Sequence, residues 1–191
     1  MDLSKDSYYQ EKLVKLSHIG ERFQAKVFEE CEFNSCTFID CKFEKCKFLD
    51  CKFNECNLSA IVLVNCQFLE VEFSKSKVIG VDWTKAQKLQ GLNFLECQIN
   101  YSNFKLLKLP KIRMVKCEAK EIDFVETDLI KGDFKNTNFE KSLFSKTNLT
   151  NADFRGASNY FIDIKTNILK RTRFSLPEAL SLLDSLDIII E

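Results

Sequence analysis

The stretch from Cys31 to Cys56, CEFNSCTFIDCKFEKCKFLDCKFNEC, places six cysteines at intervals of five residues. Two residues after each stands a large apolar side chain: Phe33, Phe38, Phe43, Phe48, Phe53 and Leu58. Zinc sites bring cysteines in close pairs, with a second pair or histidines some way off. A four-ligand metal explains one such pair and not a row of six. What repeats is a five-residue unit, with a small residue first and a large apolar residue third.

The unit reaches well beyond the cysteines. Phe23 and Phe28 keep its phase before them, and Leu63, Phe68, Phe73, Val78 and Trp83 keep it after them. One extra residue then intervenes. The same step resumes at Phe94 and runs through Ile99, Phe104, Leu109, Met114, Ala119, Phe124, Leu129, Phe134, Phe139, Phe144 and Leu149 to Phe154. Of the 18 phenylalanines, 16 stand at third positions. All nine cysteines stand at first positions, a slot filled elsewhere by Ser76, Thr137, Ala152, Val71 or Ile112. Free cysteine behaves as a small buried hydrophobe, so this slot is read as packing. Cys46→Ser is expected to cost about 1–3 kcal/mol if its hydroxyl finds no partner, and Cys46→Ala less.

A period of five fits neither the 3.6 of a helix nor the 2 of a plain strand. A fixed period of this kind is the mark of a solenoid. First and third residues share the inner side of a short strand, and the last two turn a corner. Four units then close a square coil of about 20 residues, with successive coils about 4.8 Å apart. Phe33 comes to lie over Phe53, and Phe28 over Phe48.

The runs CTFIDCKFEKCKFLDCKFNECNL and TDLIKGDFKNTNFEKSLFSKTNLTNADF resemble the pentapeptide-repeat proteins, whose consensus is A-(D/N)-L-x-x. The second run is the closer: Thr127-Asp128-Leu129, Thr137-Asn138-Phe139, Thr147-Asn148-Leu149 and Ala152-Asp153-Phe154 carry Asp or Asn at the second position. The first block departs, with Glu32, Lys42, Lys47 and Lys52 there. The resemblance implies an all-β solenoid, a right-handed quadrilateral parallel β-helix.

Around the repeats, residues 1–22 are poorly patterned and are expected to cap the open N-terminal end. The β-helix is expected over 23–174, with a register slip at 84–93 read as a bulge or small corner loop, the alternative being a loop that touches a partner. Residues 175–191 are expected to form a capping α-helix and a short strand. Ser175 and Glu178 there have capping-box spacing. Leu176, Ala179, Leu180 and Leu183 make a stripe that covers the last coil.

Charge is balanced, 28 basic against 28 acidic residues. That gives no basic excess for direct nucleic-acid binding and no dominant negative field. No apolar run is long enough for a membrane span, the start does not read as a signal peptide, and an odd number of inward cysteines fits a reducing cytoplasm. The only histidine, His18, has no nucleophile to pair with, and no phosphate-cradling glycine pattern is present. The expectation is therefore no catalytic, cofactor-binding or metal residues, no cofactor, no small-molecule substrate, and no enzyme.

Two kinds of binding protein remain. One is an interaction scaffold that meets a protein partner through an outer face. Allowing for the slip, Leu49, Leu69, Pro110 and Ile130 stack on one such face, and an exposed apolar row marks an interface. The other is implied by the resemblance: within the family, Qnr quinolone-resistance and microcin-immunity proteins protect DNA gyrase by mimicking DNA. A homodimer is also expected. Leu182, Leu186, Ile188, Ile189 and Ile190 have too little of their own chain to bury against, and twofold pairing of two like ends covers them.

Overall fold

The computed structural model describes residues 3–186 and Ile188. Each five-residue unit contributes one short extended segment, and four parallel ladders of such segments form the faces of a solenoid. Face 1 holds Ser7–Tyr9, Val27–Glu29, Lys47–Leu49, Gln67–Leu69 and Lys88–Gln90. Face 2 holds Lys12–Val14, Glu32–Asn34, Lys52–Asn54, Glu72–Ser74, Asn93–Leu95 and Arg113–Val115. Face 3 begins with Ser17–Ile19 and Thr37–Ile39, face 4 with Arg22–Gln24, Lys42–Glu44 and Val62–Val64. Beyond these, single parallel bridges such as Asn57–Lys77, Asn103–Asp123 and Asp133–Asp153 carry the faces onward.

Third-position side chains fill the interior. Phe33 stacks on Phe53 with ring centroids 4.4 Å apart and planes within 5°, and Phe53 and Phe73 continue the column at 5.0 Å. Rings from adjacent faces meet edge-on, as Phe28 and Phe33 do at 5.2 Å. Such pairs contribute about 0.5–1.5 kcal/mol each beyond their burial.

Each corner turns on a fifth-position residue in the left-handed region. Glu30, Lys45, Glu55 and Lys131 have φ of 53°, 55°, 54° and 58°. Non-glycine residues resist this conformation. The ladder holds it: the Glu30 N–H donates to Leu49 O at 2.9 Å and the Lys45 N–H to Val64 O at 2.8 Å. In the second block the second-position Asp or Asn adds a brace. Asp123 Oδ1 accepts from the Val125 N–H at 2.8 Å, and Asp128, Asn138, Asn148 and Asp153 accept likewise from the residue two further on. This is the Asx-turn chemistry that suits Asp and Asn to that position.

The first-position slot does more than fill space. Its side chain reaches back to the coil below and donates to the carbonyl of a third-position residue. Cys46 Sγ–H donates to Phe23 O at 3.4 Å, and Cys51 does so to Phe28 O at 3.4 Å. Hydroxyls make the same bond shorter: Ser76 to Phe53 O at 3.0 Å, Thr137 to Met114 O at 2.7 Å, Ser142 to Ala119 O at 2.6 Å. All nine cysteines are free and buried. The cost expected of Cys46→Ser was conditional on a hydroxyl without a partner, and that condition is not met, because Phe23 O stands within reach.

Other expectations change as well. Residues 7–24 are not a cap but the first coil, with Tyr8, Leu13, His18 and Phe23 in third positions and buried. Their phase is hard to read because no coil lies beneath them among the described residues. The slot there admits charged residues, Asp6 and Glu21 exposed and Glu11 half-buried, while Leu16 in the same slot is buried. The register slip is one residue placed in a tight 3₁₀ turn, Trp83–Lys85. Asp82 Oδ1 caps it, accepting from the Thr84 N–H at 3.1 Å. Leu89, not Phe94, is the first third-position residue after it, paired with Phe68.

The C-terminal helix is present, but as a 3₁₀ helix over Glu178–Leu186 rather than an α-helix. The capping box is not made; Ser175 Oγ instead accepts from the Gly156 N–H at 2.8 Å. The covering stripe is also different. Leu182 packs on the core, while Leu176 is 76% and Leu180 49% exposed. The expected terminal strand, with Ile189 and Ile190, lies outside the described residues.

Candidate interaction surface

Fourth-position side chains of face 1 form one outward column. Leu49 and Leu69 are in register, and Leu69 is in register with Gln90. Pro110 and Ile130 stand at the corresponding positions of the coils above. The column is thus Leu49, Leu69, Gln90, Pro110, Ile130, with a glutamine in its middle. Leu49, Leu69 and Ile130 are half-buried and Pro110 is exposed.

Beside it runs a second column, at second positions, that the sequence reading missed: Lys47, Gln67, Lys88 and Lys108. Lys45 flanks it at the neighbouring corner, and Lys45, Lys47, Asn65, Gln67 and Gln87 line a shallow polar depression. Among the described residues, Lys45, Lys47, Lys88 and Lys108 lie in no ion pair, whereas Lys12, Lys116 and Lys146 each pair with a glutamate on an adjoining coil. The missed signal was present in the sequence. Counting 20 residues, or 21 across the slip, brings these lysines together.

The corner between faces 1 and 2 changes sign along its length. Glu30, Asp50 and Glu70 occupy its lower part, Lys111 and Lys131 its upper part, and Gly91 separates them. Acidic residues cluster in the sequence at Glu29, Glu30 and Glu32 and at Asp123, Glu126 and Asp128; Glu32 pairs with Lys12 at 3.4 Å and Glu126 with Lys146 at 3.5 Å. Asp123 and Asp128 are occupied in bracing their own corners.

A depression of about 750 Å³ opens on this corner, with Leu89, Gln90, Gly91, Leu109 and Pro110 among its lining residues. At the C-terminal end, Leu186 and Ile188 are exposed, 37% and 54%, while Leu182 faces the core. The terminal apolar set is therefore divided between inside and outside.

His18 stands inside the first coil. It stacks on Phe38 with centroids 5.6 Å apart, and its Nδ1 lies 3.0 Å from Glu21 Oε1. Burial pushes the Cys51 thiol up to about 12. Among the described residues, no three His, Cys, Asp or Glu side chains are grouped as metal ligands. Among the described residues, no helix is long and apolar enough to cross a membrane.

Comparison with known proteins agrees with this geometry. Residues 26–104 match the family described as a pentapeptide repeat region, and residues 122–158 match the family described as pentapeptide repeats. The chain is similar to solved structures of QnrB1, described as a plasmid-mediated fluoroquinolone resistance protein. A trypsin-treated variant is 20% identical with a TM-score of 0.74, covering 97% of this chain and 97% of QnrB1. The full-length form is 18% identical with a TM-score of 0.67, covering 95% and 100%. At this identity the likeness establishes the fold. No curated protein matches the chain.

Proposed function

Because this chain belongs to the pentapeptide-repeat family, we propose that it is a non-enzymatic interaction protein that binds a protein partner along face 1. The observation that carries this is the pair of columns on that face. Leu49, Leu69, Pro110 and Ile130 offer apolar area, and Lys47, Lys88 and Lys108 stand beside them in no ion pair among the described residues, although Asp128 follows Lys108 in register. Interfaces join an apolar core to a charged rim in this way, and lysines left unpaired steer an acidic partner. The test is affinity capture from the source cell with the wild type, with a Lys47→Glu/Lys88→Glu/Lys108→Glu variant, and with a face 3 variant, Lys77→Glu. A partner kept by the face 3 variant and lost by the face 1 variant supports the reading; equal loss or equal retention overturns it.

A homodimer through the C-terminal end belongs to the same proposal. Leu180, Leu186 and Ile188 are the exposed apolar residues that support it among those described. Light scattering should report twice the 22.2 kDa monomer mass, and Leu186→Asp should weaken the association. A wild type that stays monomeric at high micromolar concentration removes the dimer.

A second reading, protection of DNA gyrase in the cytoplasm, draws support from the likeness to QnrB1 along nearly the whole chain and from the acidic corner Glu30, Asp50 and Glu70. The lysine column of face 1 and the zero formal charge weigh on the other side, since a DNA mimic needs a negative field. Restoration of gyrase supercoiling in the presence of a quinolone at low micromolar protein decides for it.

A further inference from the structure

Face 1 is broken at one level. Among the described residues, Lys85–Gly91 makes no backbone hydrogen bond with Lys105–Pro110 of the coil above. The ladder is intact on either side: the Glu70 N–H donates to Gln90 O at 2.9 Å, and the Lys111 N–H to Ile130 O at 2.8 Å. Two local causes act together. The extra residue is accommodated in the 3₁₀ turn, where the Ala86 N–H donates to Trp83 O at 3.1 Å instead of to the next coil. Pro110 stands where the next coil must give an N–H to Leu89 O, and proline has none. The Leu89 and Gly91 N–H groups and the Lys108 and Pro110 carbonyls are left without a backbone partner. The depression of about 750 Å³ lies at this break. Its apolar lining includes Leu89, Leu92, Leu109 and Pro110, and Lys108, Lys111 and Arg113 stand at its upper lip. Arg113 is 3.7 Å from Asp133, while Lys108 and Lys111 lie in no ion pair among the described residues.

We propose that this slot receives an extended acidic segment of a partner protein as an added strand. The inference deepens the function proposed above and rests on it. Unpaired backbone donors and acceptors are what strand addition uses for affinity, and pockets for alternate side chains give selectivity. Apolar side chains of the segment enter between Leu89 and Leu109. Its carboxylates meet Lys108 and Lys111 on the upper lip, away from Glu70 on the lower one. A nucleic acid strand matches the lysines but has no peptide groups to pair with the broken ladder.

The probe is a short end-blocked peptide alternating valine with aspartate, titrated into the full chain by amide NMR and fluorescence anisotropy. Perturbation and new exchange protection centred on Leu89, Gly91 and Lys108 are expected. Lys108→Glu/Lys111→Glu should weaken binding about tenfold or more. Pro110→Ala restores the missing N–H, and is expected to close the ladder, protect Leu89 and Gly91 from exchange, and abolish binding. The same peptide with lysine in place of aspartate should not bind. The inference is overturned by no binding at millimolar peptide, by binding that Pro110→Ala leaves unchanged, or by an oligonucleotide that competes for the lysines while the peptide does not bind. Failure here with retained lysine-dependent capture leaves the interaction role of face 1 standing. Loss of that capture with the peptide still bound removes the wider reading alone.

Discussion

Replacing Cys46 by serine and by alanine separates two views of the first-position slot by sign. The side chain is fully buried, and Sγ–H donates to Phe23 O at 3.4 Å and to Glu44 O at 3.5 Å. Both variants give up the sulfur, so the loss of its packing is nearly common to them and cancels in the difference. What remains is one hydroxyl. In a slot without an acceptor, that hydroxyl would make serine the worse variant by about 1–3 kcal/mol. In this slot an acceptor is present, and Ser76, Thr137 and Ser142 show hydroxyls making the equivalent bond at 3.0, 2.7 and 2.6 Å. The bond contributes about 0.5–1.5 kcal/mol net, so Cys46→Ser should be more stable than Cys46→Ala by that amount. For a chain of this size the difference corresponds to roughly 1–6 °C in Tm. Urea unfolding followed by circular dichroism, with the slope checked for equality between variants, provides the measurement. Alanine melting above serine would falsify the hydroxyl-acceptor account of the slot.

The remaining expectations concern other slots and corners. Gly132→Ala should cost about 1–3 kcal/mol by overpacking, because an added Cβ falls 2.5 Å from Cε2 and 2.6 Å from Cζ of Phe134; an unchanged denaturant midpoint would contradict this. Thiol titration of the native protein should be slow and reach nine only on unfolding, since all nine are buried; rapid reaction of several thiols at neutral pH would refute it. Hydrogen bonds from Arg155 hold the Asp153 carboxyl below its usual range. A depressed folded-state pKa contributes stability above the unfolded value and loses it as pH falls below about 4. Asp153→Asn should therefore flatten the acid limb of the stability curve, and an unaltered limb would count against the pairing.

The interior was legible because one residue type marks it at a fixed step. Phenylalanine at third positions and cysteine at first positions give the coil, its stacking partners and its extent from Phe23 to Phe154. The first coil was not legible, because a slot with no coil beneath it accepts Asp6 and Glu21 and the small-residue signal disappears. The slip was visible as a count of eleven residues from Trp83 to Phe94, which bounds it to 84–93, but the corner within that stretch was not: a 3₁₀ turn can absorb the extra residue at any corner, and Asp82 as cap decides which. Leu49, Leu69, Pro110 and Ile130 were found by counting along the coil. Their lysine neighbours and the open ladder were missed, since an outward lysine looks like any solvated residue until its column is assembled. At the C-terminal end the helical stripe was assigned by a 3.6 period. The helix is wound more tightly, so Leu182 faces inward where Leu176 and Leu180 were expected.

The unpaired stretch of face 1 also has a mechanical consequence. At that level the other sides remain joined, through Asn93–Leu95 with Arg113–Val115, Gln98 with Glu118, and Asp82 with Asn103. A rod tied along three sides and slit along the fourth does not flex equally in all directions. Its two halves tilt most easily about the intact wall opposite, face 3, so that the slit widens or narrows while that wall acts as a hinge. Aromatic columns on both sides of the slit keep each half stiff and confine the motion to this level. Distances between probes at Lys88 and Lys108 should therefore spread more broadly than between probes at Gln98 and Glu118. Equal spreads would mean that packing of Leu89 on the core is enough to lock the rod straight.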